Sequence, residues 1–274
     1  MVVTNRFSFV HLHKSGGSFV SAVLLRFLAS ARRIGYHYPL AALPEAYHNL
    51  PVLGCVRNPW DFYVSYYFFQ LGLLEQARDR NARMSSRELE AWSAAGNDPF
   101  NGIDVLFAEL SDGGSLGFAA TTHRLLRLGV DDGSLDLILG RMPTTRDRRG
   151  RSTPPQVDGF RGMNVRADEL ATIRGTGEGL YSFLFRHMHG GARGSIHFLR
   201  MESLRDDLLS YLHARDVEAT PEMEHFVLES GRMNTSRHSH YSSYYDDKLA
   251  ALVNEHDGTL VQRFGYHFEL GLMP

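Results

Sequence analysis

Apolar residues gather in three short runs, separated by stretches with helical or polar pattern. The first, Phe7, Phe9, Val10 and Leu12, is β-rich enough for a buried strand. It ends in His13-Lys14-Ser15-Gly16-Gly17-Ser18, after which Phe19, Val20, Val23, Leu24, Phe27 and Leu28 recur at helical spacing. The second run, Leu50 to Val56, delivers Arg57-Asn58-Pro59-Trp60; Pro59 suits the first turn of a helix and Asn58 its cap. The third, Ile196 to Arg200, leads through Met201-Glu202 into a helix from Ser203 to about His213. Strands alternating with helices predict an α/β fold of three layers, a central parallel sheet flanked by helices with right-handed crossovers.

Further helices are expected at Ile103–Leu110 and Phe118–Leu128, split by the breaker Ser111-Asp112-Gly113-Gly114. Others are expected at Tyr181–Met188, at Pro221–Glu229 and from about Asp246 to Phe264. Leu135–Leu139 fits helix or strand. Arg32-Arg33-Ile34-Gly35 reads as the close of the first helix, with basic residues in its last turn and a glycine at its end. Glu75 to Pro99 reads as exposed helix and loop. Arg141 to Arg161 reads as a solvated loop, although Arg141, Arg146, Arg148, Arg149 and Arg151 would also suit an acidic substrate. The helix after Pro59 carries Phe62, Tyr63, Tyr66, Tyr67, Phe68 and Phe69, too many rings for one buried face.

Composition narrows the class. The chain has 274 residues, 43% hydrophobic and 22% charged, which suits one sizeable domain, 1–274, with a variable insertion at about 70–190. A net charge of −2 carries no nucleic-acid or membrane footprint. The single cysteine, Cys55, forms no intrachain disulfide and sits in an apolar run as a small core residue. No metal is expected. With no leader-like segment and no apolar run of about 18 residues, the expected location is cytoplasmic.

The chemistry concentrates at Lys14–Ser18. A strand, a glycine turn and a helix aim several backbone N–H groups at one point, where the helix carries partial positive charge. A phosphate or sulfate fits there, with Lys14 adding a full charge and Ser15 and Ser18 adding hydroxyls. The plainer alternative is a tight turn capped by Ser18. The pattern G-x-x-x-x-G-K-[ST] is absent, because Lys14 precedes the glycines, so an ATP- or GTP-binding P-loop is disfavoured.

Three separated segments resemble one family. HLHKSGGSFV resembles the phosphosulfate loop of sulfotransferases that use 3′-phosphoadenosine 5′-phosphosulfate (PAPS), in the branch whose loop reads H-I-P-K-T-G-G-T. CVRNPWDFYVSYYFF is similar to the family's 3′-phosphate motif, with Arg57 at a strand end and Ser65 eight residues on. HFLRMESLRDDL, NTSRHSHYSSYYDDKLAALV and the terminal FGYHF look like the C-terminal part of the same branch. The family's proline and two threonines are His13, Ser15 and Ser18 here.

The resemblance implies a P-loop-like nucleotide-binding fold and sulfuryl transfer from PAPS to a hydroxyl or amine of a small-molecule or carbohydrate acceptor, leaving adenosine 3′,5′-bisphosphate (PAP). It implies that His13, Lys14, Ser15, Gly16, Gly17, Ser18 and Phe19 bind the phosphosulfate, and that Arg57 and Ser65 bind the 3′-phosphate. Ser236 and Arg237 would complete that site from a lid, with Trp60 or a tyrosine facing adenine or acceptor. Lys14 would stabilise the leaving phosphate. His123 is the favoured general base, with His11, His13 and Glu202 as rivals; Glu202 also reads as a residue that fixes the sheet. The competing readings are a P-loop-like kinase or nucleotide-binding protein, and a non-catalytic relative that binds PAP.

Overall fold

A five-stranded sheet, in the order β3-β1-β2-β4-β5, organises the chain. The computed structural model describes residues 1–88, 105–130, 132–142, 165–192, 194–217, 219–231 and 238–269. The strands are β1 (Val2–Val3), β2 (Ser8–Phe9), β3 (Arg32–Arg33), β4 (Val52–Val56) and β5 (Ile196–Arg200). The first four helices are α1 (Gly17–Phe27), α2 (Pro59–Arg83), α3 (Val105–Leu110) and α4 (Phe118–Leu126). They are followed by α5 (Asp132–Arg141), α6 (Ala167–Leu170), α7 (Leu180–His189) and α8 (Leu204–His213). The last are α9 (Pro221–Glu229), α10 (Asp247–His256) and α11 (Gly258–Phe264).

The sheet is mixed, not parallel throughout. β2, β4 and β5 run parallel, as alternating strands and helices require, whereas β1 pairs antiparallel with both β2 and β3. Only Thr4–Phe7 separates β1 from β2, and so short a link permits only an antiparallel return. Thr4 closes that turn: its hydroxyl donates to the Phe7 carbonyl (2.8 Å) and accepts the Phe7 N–H (2.9 Å).

Arg32-Arg33 is likewise not the last turn of α1. The helix stops at Phe27, Leu28 turns extended, and the two arginines add an edge strand beside Val2-Val3. Their exposed charge blunts that edge against further pairing.

Alternate strand residues supply two cores. Val2, Phe9, Leu53, Cys55 and Leu199 face α1, α8 and α9. Val3, Val10 and Val56 belong to the other core, with α2 and residues of α3–α5, α7, α10 and α11. Helices thus cover both faces, and the described helices between 105 and 189 share a core with the elements on either side of them in the chain. Among the described residues no helix is long and apolar enough to cross a membrane.

α2 begins as the sequence predicts. Asn58 caps it, its Oδ1 accepting the N–H groups of Trp60 (3.0 Å) and Asp61 (3.5 Å), and Pro59 occupies the first turn. Its aromatic residues are not all core, as expected: Phe62, Tyr63, Tyr66 and Tyr67 are buried, with helices packed around α2 on several sides, whereas Phe68 and Phe69 are only half-buried. Trp60 is buried and donates its indole N–H to the Ala250 carbonyl (3.0 Å). The predicted last helix is two, α10 and α11, broken at the fully buried Asp257.

Candidate functional site

Lys14 to Ser18 connects β2 to α1, and Arg57 to Asn58 connects β4 to α2, so two strand–helix corners lie side by side at the carboxyl ends of adjacent parallel strands. Open α/β sheets commonly bind ligands at that end. Gly16, not Ser18, occupies the cap position of α1, with φ +80°. Ser18 is already inside the first turn. The N–H groups of Gly17 and Ser18, at the first helical positions, have no acceptor in their own helix.

Both glycines answer to packing. Gly16 has the left-handed conformation, and a Cβ there would strike Leu204 and lie 2.7 Å from Met201 Sδ. A Cβ on Gly17 would lie 2.6 Å from Cγ and Nε2 of the buried His11 ring. Gly17→Ala is therefore expected to destabilise the protein by about 1–3 kcal/mol, against the stabilising direction of helix propensity. Urea denaturation checks it; a more stable variant would mean that the His11 ring yields easily.

Lys14 lies half-buried in a left-handed conformation (φ +54°), its Nζ 3.8 Å from the centroid of the Phe69 ring. Among the described residues no carboxylate lies within ion-pairing distance of it. Burial, and then the nearby Arg57 charge, push its pKa down to about 7. Arg57 is 11% exposed and donates through Nη1 to the Lys14 carbonyl (2.9 Å). Its Nε (2.8 Å) and Nη2 (2.7 Å) both engage Oδ2 of Asp61, one helical turn into α2. Of the five guanidinium N–H groups, these bonds use three and leave two for a ligand.

Asp61, Ser65 and Phe69 share one face of α2 at i, i+4 and i+8, and its two ends touch Arg57 and Lys14. Ser65 lies between them on that face and is buried. Phe19 is buried in the α1–α9 core. Ser236 and Arg237 lie outside the described residues, as do positions 143–161 of the arginine-rich loop.

No family model, curated protein or solved structure matches this chain.

Beside Arg57 opens a cleft of about 490 Å³ lined by Asn58, Asp61, Glu202, His240, Tyr241 and Tyr266, among others. Lys14–Ser18 are not among its lining residues. Both Glu202 oxygens are engaged, accepting the Asn58 N–H (2.7 Å) and the Tyr266 hydroxyl (3.2 Å). Glu202 thereby ties the end of β5 to the β4–α2 corner, in keeping with its reading as a sheet-fixing residue. His238, His240 and His267 also line the cleft. The sequence resemblance grouped all three with the C-terminal segments but gave them no role, since only the fold brings residues 238–241 and 265–269 to Arg57.

The predicted bases fare differently. His123 is on the exposed face of α4, and no described contact joins it to Lys14 or Arg57. His11 and His13 are buried beside the loop; the His13 ring stacks on His37 (centroids 3.7 Å apart), whose Nδ1 lies 3.0 Å from the His11 carbonyl oxygen. Burial, reinforced by the neighbouring His37, holds His11 neutral well below the usual histidine range, and burial lowers His37 to about 4.

Proposed function

We propose that the protein is a PAPS-dependent sulfotransferase on a P-loop-like nucleotide-binding fold, acting on a hydroxyl or amine of a small-molecule or carbohydrate acceptor. One observation carries the reading. Lys14, without a carboxylate partner among the described residues, and Arg57, which donates to the Lys14 carbonyl (2.9 Å), are held together beside the N-terminus of α1. Two like charges and a helix N-terminus converging on one spot favour an anion there.

The donor set suits a nucleotide carrying two anionic groups. The N–H groups of Gly17 and Ser18 and the Lys14 ammonium face the phosphosulfate. The two remaining N–H groups of Arg57 hold the 3′-phosphate at the mouth of the cleft, with Asp61 keeping the guanidinium in its plane. In transfer, the acceptor forms a bond to sulfur while the sulfur–oxygen bond to the phosphate breaks. Lys14 then stabilises the negative charge growing on the leaving phosphate. The acceptor's proton passes to a base. Glu202 is poorly suited, since both its oxygens are committed, whereas His13 adjoins Lys14 in the chain.

Thermal unfolding with and without ligand tests the reading. PAP at about 100 times its Kd should stabilise the protein by about 2.7 kcal/mol, and MgATP should not. Stabilisation by MgATP alone would favour a kinase-like nucleotide site instead. Mass spectrometry of acceptor mixtures incubated with PAPS then reads the added sulfuryl group. PAP binding with no transfer to any acceptor would leave a non-catalytic PAP-binding protein.

A further inference from the structure

Three histidine rings meet beside the loop that carries Lys14. His11 and His13 lie on the way out of β2, and His37 reaches them from the segment after β3. The His37 ring stacks on His13, with centroids 3.7 Å apart and planes 13° from parallel, and tilts against His11 at 4.3 Å. His13 immediately precedes Lys14, so the stack holds His37 against the same loop. Its Nδ1 lies 3.0 Å from the His11 carbonyl oxygen. That oxygen can only accept, so Nδ1 carries the hydrogen and the lone pair of the neutral ring is on Nε2.

Access separates the three. His11 is 5% exposed and His13 6%, and both ring nitrogens of His13 are buried, whereas His37 is only half-buried and reaches the surface. Its backbone is strained there. Among the described residues His37 (φ +48°) and Lys14 (φ +54°) are two of four non-glycine positions with positive φ, and strain of that kind gathers at functional sites. Burial, aided by the cationic amino terminus and Lys14 and opposed by the bond to His11, lowers its pKa to about 4. The ring is therefore neutral, and able to accept a proton, at pH 7.

We propose that His37 is the catalytic base of the transfer, taking the acceptor's proton on Nε2 while the His11 carbonyl holds the ring in that tautomer. The inference rests on the PAPS reading and deepens it. As the acceptor oxygen or nitrogen bonds to sulfur, its proton passes to Nε2. The sulfur–oxygen bond to the phosphate breaks, and its electron pair stays on the leaving PAP. The imidazolium then returns the proton to solvent. While it lasts, its bond to the His11 carbonyl is charge-assisted and the nucleotide's anions favour the same cation, so bound PAPS makes His37 a stronger base.

His37→Asn tests the inference, because asparagine tolerates the left-handed backbone and its amide can keep the bond to the His11 carbonyl, while Nε2 is lost. Single-turnover transfer from PAPS to acceptor mixtures, read by mass spectrometry, should fall about 10²–10⁴-fold, with the Kd for PAP changed less than about twofold. The unaltered protein should lose kcat towards acid as the base protonates, and the variant should lack that limb. A histidine that only ties its segment to the loop would give neither result. A fall of less than about tenfold, or the same acid limb in both proteins, overturns the inference and leaves the PAPS reading standing. PAP binding with no transfer by the unaltered protein overturns it too, and failure to bind PAP overturns that reading with it. Should His37→Asn not fold, the unaltered protein with PAP bound is treated with diethyl pyrocarbonate, which acylates neutral imidazole nitrogen. Peptide mass mapping should find His37 modified and transfer lost in step. An unmodified His37, or full transfer after its modification, overturns the inference equally.

Discussion

Lys14→Met should lower sulfuryl transfer by about 10²–10³-fold, the usual cost of removing one preorganised stabiliser of a leaving oxyanion, and at the same time stabilise the ligand-free protein below about pH 7. Methionine keeps the length and apolar stem that rest on Phe69 and removes only the charge. The stability effect follows from proton linkage. Lys14 has an ordinary pKa of 10.5 when unfolded and one of about 7 when folded, burial being the larger cause and Arg57 the smaller. Between those values the unfolded chain binds more protons, so native stability rises with pH across that window. Below about pH 7 the charged, half-buried lysine is a full liability; near pH 10.5 both states are neutral and the liability is gone. The advantage of Lys14→Met should be flat below pH 7 and shrink steadily towards pH 10.5. Urea denaturation at pH 6, 8 and 10 reads it; parallel pH profiles for the two proteins would sink the idea. The same linkage makes PAP binding take up a proton above pH 7, so PAP affinity should weaken as pH rises from 7 to 9.

Asp257→Ala should destabilise the fold by about 2–5 kcal/mol, because it orphans two buried donors at once. The Asp257 carboxylate accepts the Tyr63 hydroxyl (2.6 Å) and the Ser182 N–H (2.8 Å), and Gly179 packs so close that a Cβ there would sit 2.9 Å from both carboxylate oxygens. Burial raises the Asp257 pKa, with the Tyr63 and Ser182 hydrogen bonds pulling the other way. Its folded pKa therefore exceeds the unfolded one, and the residue costs stability as pH rises from the ordinary aspartate value through the folded one. Asp257→Asn keeps an acceptor oxygen and needs no desolvated charge, so it should cost less than Asp257→Ala. In a double-mutant cycle with Tyr63→Phe, the paired losses should fall short of their sum, since each variant already breaks the shared bond. Additive losses would show that the Tyr63–Asp257 contact contributes nothing of its own.

Much of the frame was legible from local pattern. The β2-loop-α1 unit, the Asn58 cap with Pro59 behind it, and α9 running from Pro221 to Glu229 all stand as the sequence implied. Each depends on contacts within a few residues: a cap accepting the first N–H groups, a proline fitting the first turn, apolar residues returning every third or fourth place. Of the candidate site, Lys14 and Arg57 were readable because their neighbours along the chain build the two corners. Ser65 was placed correctly on α2 by counting turns, though its burial was not foreseeable.

What local pattern missed shares one cause. Arg32-Arg33 looks like the end of a helix until Val2-Val3 offers it a strand to pair with. Which of the α2 rings are core, Tyr63, Tyr66 and Tyr67 but not Phe68 or Phe69, is set by helices from later in the chain. Asp61, four residues along, already claims part of Arg57 in the ligand-free protein. His240, Tyr241 and Tyr266 meet Arg57 across the cleft from far along the chain. By itself, then, the sequence determined the three parallel strands, most of the helices, the Asn58 cap and the two cationic corners, because these depend on neighbours no more than a turn or two away. Only the tertiary structure decided the mixed sheet, the break at Asp257, the walls of the cleft and the anchoring of the Arg57 backbone on the Tyr181 hydroxyl. Each of those needs partners that backbone propensity cannot bring together, and which meet only when burial of two opposite apolar faces closes the chain on itself.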